Sequence, residues 1–588
     1  ISLAPWAASW PVSRAMAAFT MNDPSATVPA LAQGLQLTRD AIGASKDPGA
    51  TFVLRIKERQ FQDAINAGMG MELTAVAQPA GQVDPTGPGA AFAPPVLMAA
   101  PVPGQVFEVR ARLANRGGIS VAIPPAASAA IELEADRGWQ VRLGPTTGGP
   151  NLARHEQATA RMTVTLADDA AISTKPYFFR TGLQESRYTL TDQAQFGRPA
   201  SPATLVAVGR YFIDGVPIEI REVVKRRESK LPYGDVLREV RSVPRLSVSL
   251  SPSNAIVPLT AARARVDVEV SLLHNAEAAT AGEVTLTLPA GWTSEPPAHP
   301  FAFDRAGERA SYRFSVLPGA IDARTYTIEA VAVSAPHKGV PHEYREGYAL
   351  IDHRDLEVRY LYRASTAEVR GVDVTTVAGL KVGYVMGVGD QVPLGLRQLG
   401  AEVTLLGEPD LAHADLSIYD TIMTGTRAYA VREDLKTYNQ RFLDYARAGG
   451  NVVVLYNTQE FVPNQWAPFP GELPRSAEEV SEEDSPVTIL APAQQSFTWP
   501  NRITVADFDG WVEQLGSKFF TTWDTAYTPM ISTFDTGQAP QSGGWLTAKV
   551  GKGNWTYFAY ALHCQLPYGV AGAYRITANL LALSKQPN

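Results

Sequence analysis

Three short loops in the C-terminal part of the chain carry the residues best suited to holding a ligand: Gly387-Val-Gly389-Asp390, Gly425-Thr-Arg427-Ala-Tyr429 and Asn457-Thr458. Glycines let a backbone approach a bound group, and amides at a helix start can meet an anion. No Gly-Lys-Ser/Thr follows Asp390, so the first loop is a weak phosphate signal, and glycines and Asn serve plain loop closure as readily as a site. A fourth constellation, Asp507-Phe-Asp509-Gly-Trp511, holds two carboxylates that could do acid and base work only if both faced one cleft. The simpler reading makes Thr504 or Asp507 a helix cap and buries Trp511 and Leu515. Aromatic faces also stack on pyranose rings while carboxylates and amides bind sugar hydroxyls, which suits a carbohydrate surface. Trp466, Trp499, Trp523 and Trp545 share this region and serve a core equally well. The candidate ligand-binding residues are therefore Gly387, Gly389, Asp390, Arg427, Tyr429, Asn457, Asp507, Asp509 and Trp511.

Nucleophilic and metal chemistry are poorly provided for. The one cysteine, Cys564, excludes an internal disulfide and a cysteine-based structural zinc site. It follows His563 directly on a predicted strand end, where successive side chains point to opposite faces and cannot form a thiolate–imidazole pair. His337 and His342 fall in a predicted hairpin loop, with His353 further on and His299 in a separate strand. A water-activating zinc needs three converging protein ligands and a carboxylate base, and nothing supplies that convergence. Hydrolysis by the C-terminal domain would need a pocket with perturbed acids near Asp390, Arg427 and Asp509.

The elements that would position these residues follow from hydrophobic period. Leu31, Leu35 and Ile42, then Leu54, Phe61 and Ile65, lie on single helical faces, so residues 1–76 are predicted as two packed helices. A Pro/Gly/Ala-rich stretch over 77–105 reads as a linker or long surface loop. Phe107, Val109, Ala111 and Leu113 alternate with charged residues as in a strand with one wet face, and further strands are expected at 161–166, 203–213 and 218–224. A second β unit starts near Leu246, with alternation at 266–272, 284–288 and 326–330, as in an immunoglobulin-like sandwich. From Leu380 strands at 381–386, 401–406, 421–424 and 451–456 alternate with helices at 391–399 and 435–448, the pattern of a parallel sheet with helices on both faces. The acidic run 478–484 reads as a solvated loop. The expected fold is thus N-terminal helices (1–76), two antiparallel β-sandwich domains (77–245 and 246–362), and a C-terminal flavodoxin-like α/β doubly wound domain (363–588). In such a sheet, ligands bind beyond the carboxyl ends of the strands, where the first three loops lie.

Composition narrows the function classes. The 588 residues exceed one core and call for three or four domains. An apolar fraction of 45%, no long apolar run and a net charge of -7 without a basic cluster exclude a transmembrane segment and a nucleic-acid partner. The chain begins at Ile1 without methionine or a signal segment, which predicts a processed product or a piece of something longer.

The residues 563–581, His-Cys-Gln-Leu-Pro-Tyr-Gly-Val-Ala-Gly-Ala-Tyr-Arg-Ile-Thr-Ala-Asn-Leu-Leu, resemble the C-terminus of large bacterial PIG-L/LmbE-type deacetylases. The resemblance continues through residues 57–64, Pro176-Tyr-Phe-Phe-Arg180, Gly347-Tyr-Ala-Leu-Ile351, Val382-Gly-Tyr-Val385, Gly425-Thr-Arg-Ala-Tyr429, Pro500-Asn-Arg-Ile503 and 507–511. Leu-Pro-Ala-Gly-Trp292 and Phe314-Ser-Val-Leu-Pro318 resemble the small α-galactosidase-associated sandwich. The α/β region is similar to class I glutamine amidotransferase-like and ThuA-like domains, whose active members place a cysteine nucleophile on a turn after a central strand. The matching turn here is Tyr456-Asn457-Thr458, without cysteine. The resemblance implies an accessory region of a zinc-dependent N-acetylsugar deacetylase, outside the cytoplasm, with the catalytic domain at the opposite end of the polypeptide. Zinc then belongs only to that absent domain and this chain carries no cofactor. Ala298-His299-Pro300 superficially matches the family's His-Pro-Asp-Asp motif, but Phe301-Ala-Phe303 stand where aspartates are required. Two functions follow as expectations: a carbohydrate- or envelope-binding region, with exposed aromatics beside the α/β strand ends, or an assembly component docked to a catalytic deacetylase domain or larger complex, with an exposed apolar patch on a sandwich or on the first helices.

Overall fold

The computed structural model describes residues 4–82, 92–124, 130–182, 185–261, 265–337 and 340–585. Three helices, α1 (Ala4–Ala18), α2 (Val28–Ala44) and α3 (Pro48–Met69), lead the chain. Asp47 caps α3, its Oδ1 accepting from the amides of Gly49 and Ala50, and Gly70 ends it in the left-handed region at φ 56°. Gln62 and Asn66, one turn apart, bracket Glu219: its amide donates to Gln62 Oε1 (2.9 Å) and its carbonyl accepts from Asn66 Nδ2 (2.9 Å). Leu35, Phe61, Ile65 and Met69 thereby join the core of the sandwich they rest on.

That first sandwich pairs a six-stranded with a five-stranded sheet. The strand Glu72–Pro79 lies inside the larger sheet, antiparallel to Val106–Ala114 and parallel to Lys225–Ser229. The helical segment therefore stops at Met69, and the sandwich begins before residue 77. Leu73, Ala75 and Ala77 bury alternately as the sheet requires. The stretch expected as a linker is also anchored: Met98 is buried, and its amide donates to Arg227 O (2.9 Å). Residues 83–91 lie outside the described residues.

The second sandwich packs a four-stranded sheet on a six-stranded one around Trp292, Phe314 and Ile328. Gly291 at φ 80° turns the Leu-Pro-Ala-Gly-Trp segment so that Trp292 meets Tyr326 at 5.1 Å. The strand Thr366–Val372 pairs with Asn254–Pro258 in parallel and with Thr325–His337 antiparallel, so this sandwich extends past 362. His342 lies on the strand Val340–Tyr344, paired with Thr325–His337, not in a loop; the side chain of His337 lies outside the described residues. A hairpin of Glu346–Ile351 and Arg359–Ala364 lies over Leu246–Ser251 where Gly347 lets the backbones meet; a Cβ there would stand 2.8 Å from Val248 O.

A chain of charges couples the sandwiches. Arg226 Nη1 donates to Glu228 Oε2 (2.6 Å), Arg238 Nε to Glu228 Oε1 (2.7 Å) and Arg238 Nη2 to Asp352 Oδ2 (2.7 Å), which Lys230 also meets at 2.7 Å. Asp352 lies in the connection of the second sandwich's hairpin; the others belong to the first.

The C-terminal sheet comprises β1 (Lys381–Val385), β2 (Glu402–Leu405), β3 (Thr421–Thr424), β4 (Asn451–Leu455), β5 (Thr528–Pro529), β6 (Trp545–Val550) and β7 (Gly553–Phe558) in the order β2-β1-β3-β4-β7-β6-β5. β2, β1, β3, β4 and β7 are parallel, and β6 and β5 close an antiparallel edge. β3 and β4 are buried along their length, hence their short apolar centres, Ile422-Met423 and Val452-Val-Val-Leu455. The expected helix at 435–448 is two, Glu433–Thr437 and Asn439–Ala448, because Asn439 turns inward between Tyr429 Oη (2.6 Å) and Trp466 O (3.0 Å). The acidic run is no free loop. Glu478–Val480 pairs with Gly516–Phe519, and Asp535 accepts from the Ser481 and Glu482 amides (2.9 Å each) and the Ser485 hydroxyl (3.1 Å). Ile256 of the second sandwich lies in the α/β core, its amide 3.3 Å from Gln398 Oε1. Among the described residues no helix is long and apolar enough to cross a membrane.

The Glu228 carboxyl is disfavoured by burial, yet Arg226 and Arg238 more than offset this and hold it below the usual carboxylate range; Asp352 is lowered by its bonds to Arg238 and Lys230. A lowered carboxylate stabilises the fold above its unfolded value and loses that contribution as pH falls through its folded value. Glu228→Gln should cost about 2–3 kcal/mol at neutral pH, since it leaves the buried Arg226 guanidinium without a carboxylate while Arg238 keeps Asp352. Urea unfolding across pH should show the variant losing less stability than the wild type on acidification below about pH 4.

Candidate functional site

The order β2-β1-β3 makes the crevice between β1 and β3 the topological switch point, where open α/β sheets bind ligands. The loops after both strands meet there and close on each other. The Asp390 carboxylate takes Tyr384 Oη at 2.8 Å and 3.0 Å, the Val392 amide at 3.1 Å and the Thr426 amide at 3.1 Å. Val388 N donates to Thr426 O (3.0 Å), and a Cβ on Gly387 would stand 1.9 Å from that oxygen. Gly387 and Gly425 thus serve contact between two loops, and Asp390 fills the place of an anion from within. Gly389, at φ 106° with open space beside it, serves the turn.

The third loop locks in the same way. Arg427 N donates to Tyr456 O (2.8 Å), Tyr429 N to Asn457 Oδ1 (3.1 Å) and Asn457 Nδ2 to Leu455 O (2.8 Å). Tyr429 is buried against Phe461. Asn457 and Tyr429 therefore position the crevice and do not line it.

What stays accessible is a neighbouring recess formed by Arg427, Tyr456, Glu460 and His563, all half-buried. Arg427 is left-handed at φ 53°, a conformation that costs a non-glycine residue about 1 kcal/mol. Its Nε and the hydroxyls of Thr424 and Thr426 are buried without a hydrogen-bond partner among the described residues. The charge of Arg427 lowers Glu460, whose larger stabiliser is the Thr458 hydroxyl. Tyr456 is raised by burial and keeps its proton; its ring lies 5.8 Å from that of His563. Burial pushes His563 below its usual value against the pull of Asp390 and Glu513, so it is neutral at pH 7. Guanidinium, phenol and neutral imidazole together can bind a hydroxylated or anionic group. Tyr456 and His563 escaped the candidate set because their role depends on β4 and β7 lying side by side, which no local spacing encodes.

Cys564 does not turn this recess into a nucleophilic site. His563 and Cys564 sit on a single helical turn, Leu562–Gln565, not on the strand end expected, because β7 stops at Phe558. The thiol donates to Glu513 Oε2 (3.1 Å), and burial with that hydrogen bond pushes it up to about 12.

The fourth constellation is structural in its buried members. Thr504 and Asp507 form a capping box, Arg575 Nε pairs with Asp507 Oδ1 at 2.7 Å, and Trp511 donates to Asp507 O (3.0 Å) while 1% exposed. Trp511 therefore cannot offer a face to a sugar, and Asp507 is committed to Arg575; Asp509 points to solvent, so the two carboxylates share no cleft. Trp545 is buried, and Trp466, Trp499 and Trp523 are partly buried. Among the described residues no group of three His, Cys, Asp or Glu side chains could hold a metal ion. His299 instead bonds Arg313 O at 3.0 Å beside Tyr312.

No protein-family model and no curated protein matches the chain. Solved structures share limited likeness: a β-galactosidase from Rahnella sp. R3 at 15% identity, over 36% of this chain and 32% of that one, with a TM-score of 0.23. The cupredoxin domain of amoB from Nitrosocaldus yellowstonii matches at 11% identity over 22% of this chain and 87% of that one, TM-score 0.13. The secreted serine protease VesC from Vibrio cholerae matches at 6% identity over 37% and 44%, TM-score 0.13. The chain thus spans about a third of the β-galactosidase's length.

Asp390→Ala should destabilise the protein by about 2–3 kcal/mol, because it leaves the buried Tyr384 hydroxyl and two amides without their acceptor; chemical denaturation measures this. Cys564 should alkylate slowly at pH 8, and Glu513→Gln, which removes the charge opposing the thiolate, should accelerate labelling several-fold when followed by mass spectrometry.

Proposed function

We propose that this chain is a non-catalytic accessory region of a PIG-L/LmbE-type zinc-dependent N-acetylsugar deacetylase, acting outside the cytoplasm in binding a glycan or cell-envelope component. The reading rests on the motifs that run from residue 57 to the last helix, and one structural observation carries its non-catalytic part. The amidotransferase-like strand order ends in a recess with hydrogen-bond donors but no nucleophile, since the turn after β4 is Tyr456-Asn457-Thr458 and the nearby thiol is masked by Glu513. Arg427, Tyr456 and His563 then act as binding groups, and any zinc chemistry belongs to a separate catalytic domain.

A second reading, an assembly subunit docked to that domain or to a larger complex, draws support from the leading helices. Trp10, Met16, Phe19 and Met21, near or on α1, and Phe52, on α3, are 53–84% exposed, far more apolar surface than helices resting on a core need to show. Incubating the purified chain with insoluble envelope polysaccharide and with N-acetylated oligosaccharides separates the readings. The first expects retention on polysaccharide and no acetate released. Acetate release would overturn the non-catalytic assignment, and absence of retention would leave the assembly reading.

A further inference from the structure

We propose that the groove between the two sandwiches is a binding site for an acidic oligosaccharide; this rests on the carbohydrate-binding reading above but places the sugar away from the α/β recess. The groove encloses about 920 Å³, at the upper end of the ~300–1,000 Å³ typical of ligand clefts. Its walls come from both sandwiches. Arg226 belongs to the first, and Ser249, Asn275, Arg309, Tyr348 and Tyr360 belong to the second and its hairpin.

These groups suit a sugar chain. Tyr348 and Tyr360 stand with ring centroids 5.2 Å apart and half-buried, giving apolar faces for the C–H side of pyranose rings. Tyr348 Oη donates to Asn275 Oδ1 (3.0 Å), and the Asn275 amide is held by Pro244 O (2.7 Å) and Ser247 Oγ (3.0 Å), so this wall is set before any ligand arrives. Arg226 is 4% exposed and its buried Nε has no acceptor among the described residues, although Nη1 meets Met98 O and Glu228. A guanidinium so sheltered from water attracts an anion more strongly than one at the surface.

The charge balance selects the class of sugar. Both Glu228 oxygens are taken by Arg226 and Arg238, both Asp352 oxygens by Arg238, and one also by Lys230. That chain carries three cations and two carboxylates, hence net +1. On the opposite side Arg305 is paired with Glu308, while the Arg309 guanidinium has no ion pair among the described residues and stands against Glu277 as the other free charge. The surplus is positive, and a carboxylate or sulfate on a ring would meet the exposed Arg309 while neighbouring hydroxyls meet Ser249.

Calorimetric titration of the whole chain tests this with oligogalacturonate as the carboxylate probe, a sulfated oligosaccharide as the sulfate probe, and a chito-oligosaccharide as the neutral one. The proposal expects one acidic probe to bind more tightly than the neutral one, and the tighter acidic probe names the anion. Arg309→Ala should weaken that probe roughly tenfold or more, and Ser249→Trp, which fills the groove from an outward-facing position, should abolish binding; unchanged thermal midpoints show that both variants fold. Acidic-sugar binding unaltered by both variants would overturn the groove and leave the wider reading standing. Binding of the neutral probe alone would overturn the acidic class, and failure of all three sugars to bind would remove the carbohydrate reading together with the groove.

Discussion

A single carboxylate fixes the C-terminal domain. Asp390 accepts from a buried phenol and from two amides on loops of different strands, and so satisfies donors that the β1–β3 crevice would otherwise present to a ligand. Backbone amides at a switch point attract anions whatever their source, and an internal anion is always at high effective concentration. With the crevice stitched, the loops after β1, β3 and β4 hold one another: Thr426 is pinned, Arg427 is forced left-handed against Tyr456, and Tyr429 is drawn onto Asn457. The recess beside His563 is what remains after this closure. It holds a guanidinium, a phenol, a carboxylate and a neutral imidazole.

The same economy governs the C-terminal residues. Gly572 approaches so closely that a Cβ would stand 1.8 Å from Asp507 O, Tyr574 donates to Gln398 Oε1 at 2.6 Å, and Arg575 reaches Asp507, Asp373 O and Arg502 O. The Val-Ala-Gly-Ala-Tyr-Arg segment is thus the start of the last helix and the part by which it docks on the domain. Its residues hold the domain together.

Strands with strong period were legible in the chain: 106–114, 266–274, 381–385 and 451–455 fall within a residue or two of their expected places. Glu72–Pro79 was not, because Ala, Gln, Glu and Pro are weak strand formers and only pairing with two distant strands stabilises it. Thr366–Val372 was missed for a related reason, its partner Asn254–Pro258 lying far back in sequence. Of the candidate residues, the Gly387–Asp390 loop, Arg427, Tyr429 and Asn457 do converge, but residue type alone could not tell a carboxylate that awaits a ligand from one already satisfied. The capping reading of Thr504 and Asp507 needed only local spacing and agrees with the structure. The inter-sandwich groove has no sequence signature, since it depends on how two independently folded sheets are set against each other.

Ile256 sits in the α/β core, Gln398 of the α/β domain accepts from its amide, and Arg370 of the last sandwich strand donates to Gly569 O at 3.2 Å. Neither the second sandwich nor the α/β sheet therefore owns a self-sufficient surface at their junction. Any cut that follows the apparent domain boundary would bare apolar side chains on both pieces. In evolutionary terms the heritable module is the fused pair: recombination that moves one without the other would yield two unstable halves, whereas the leading helices with their first sandwich meet the pair through charged bridges and a small apolar cluster of Val102, Val243 and Ala276 that a new partner could remake.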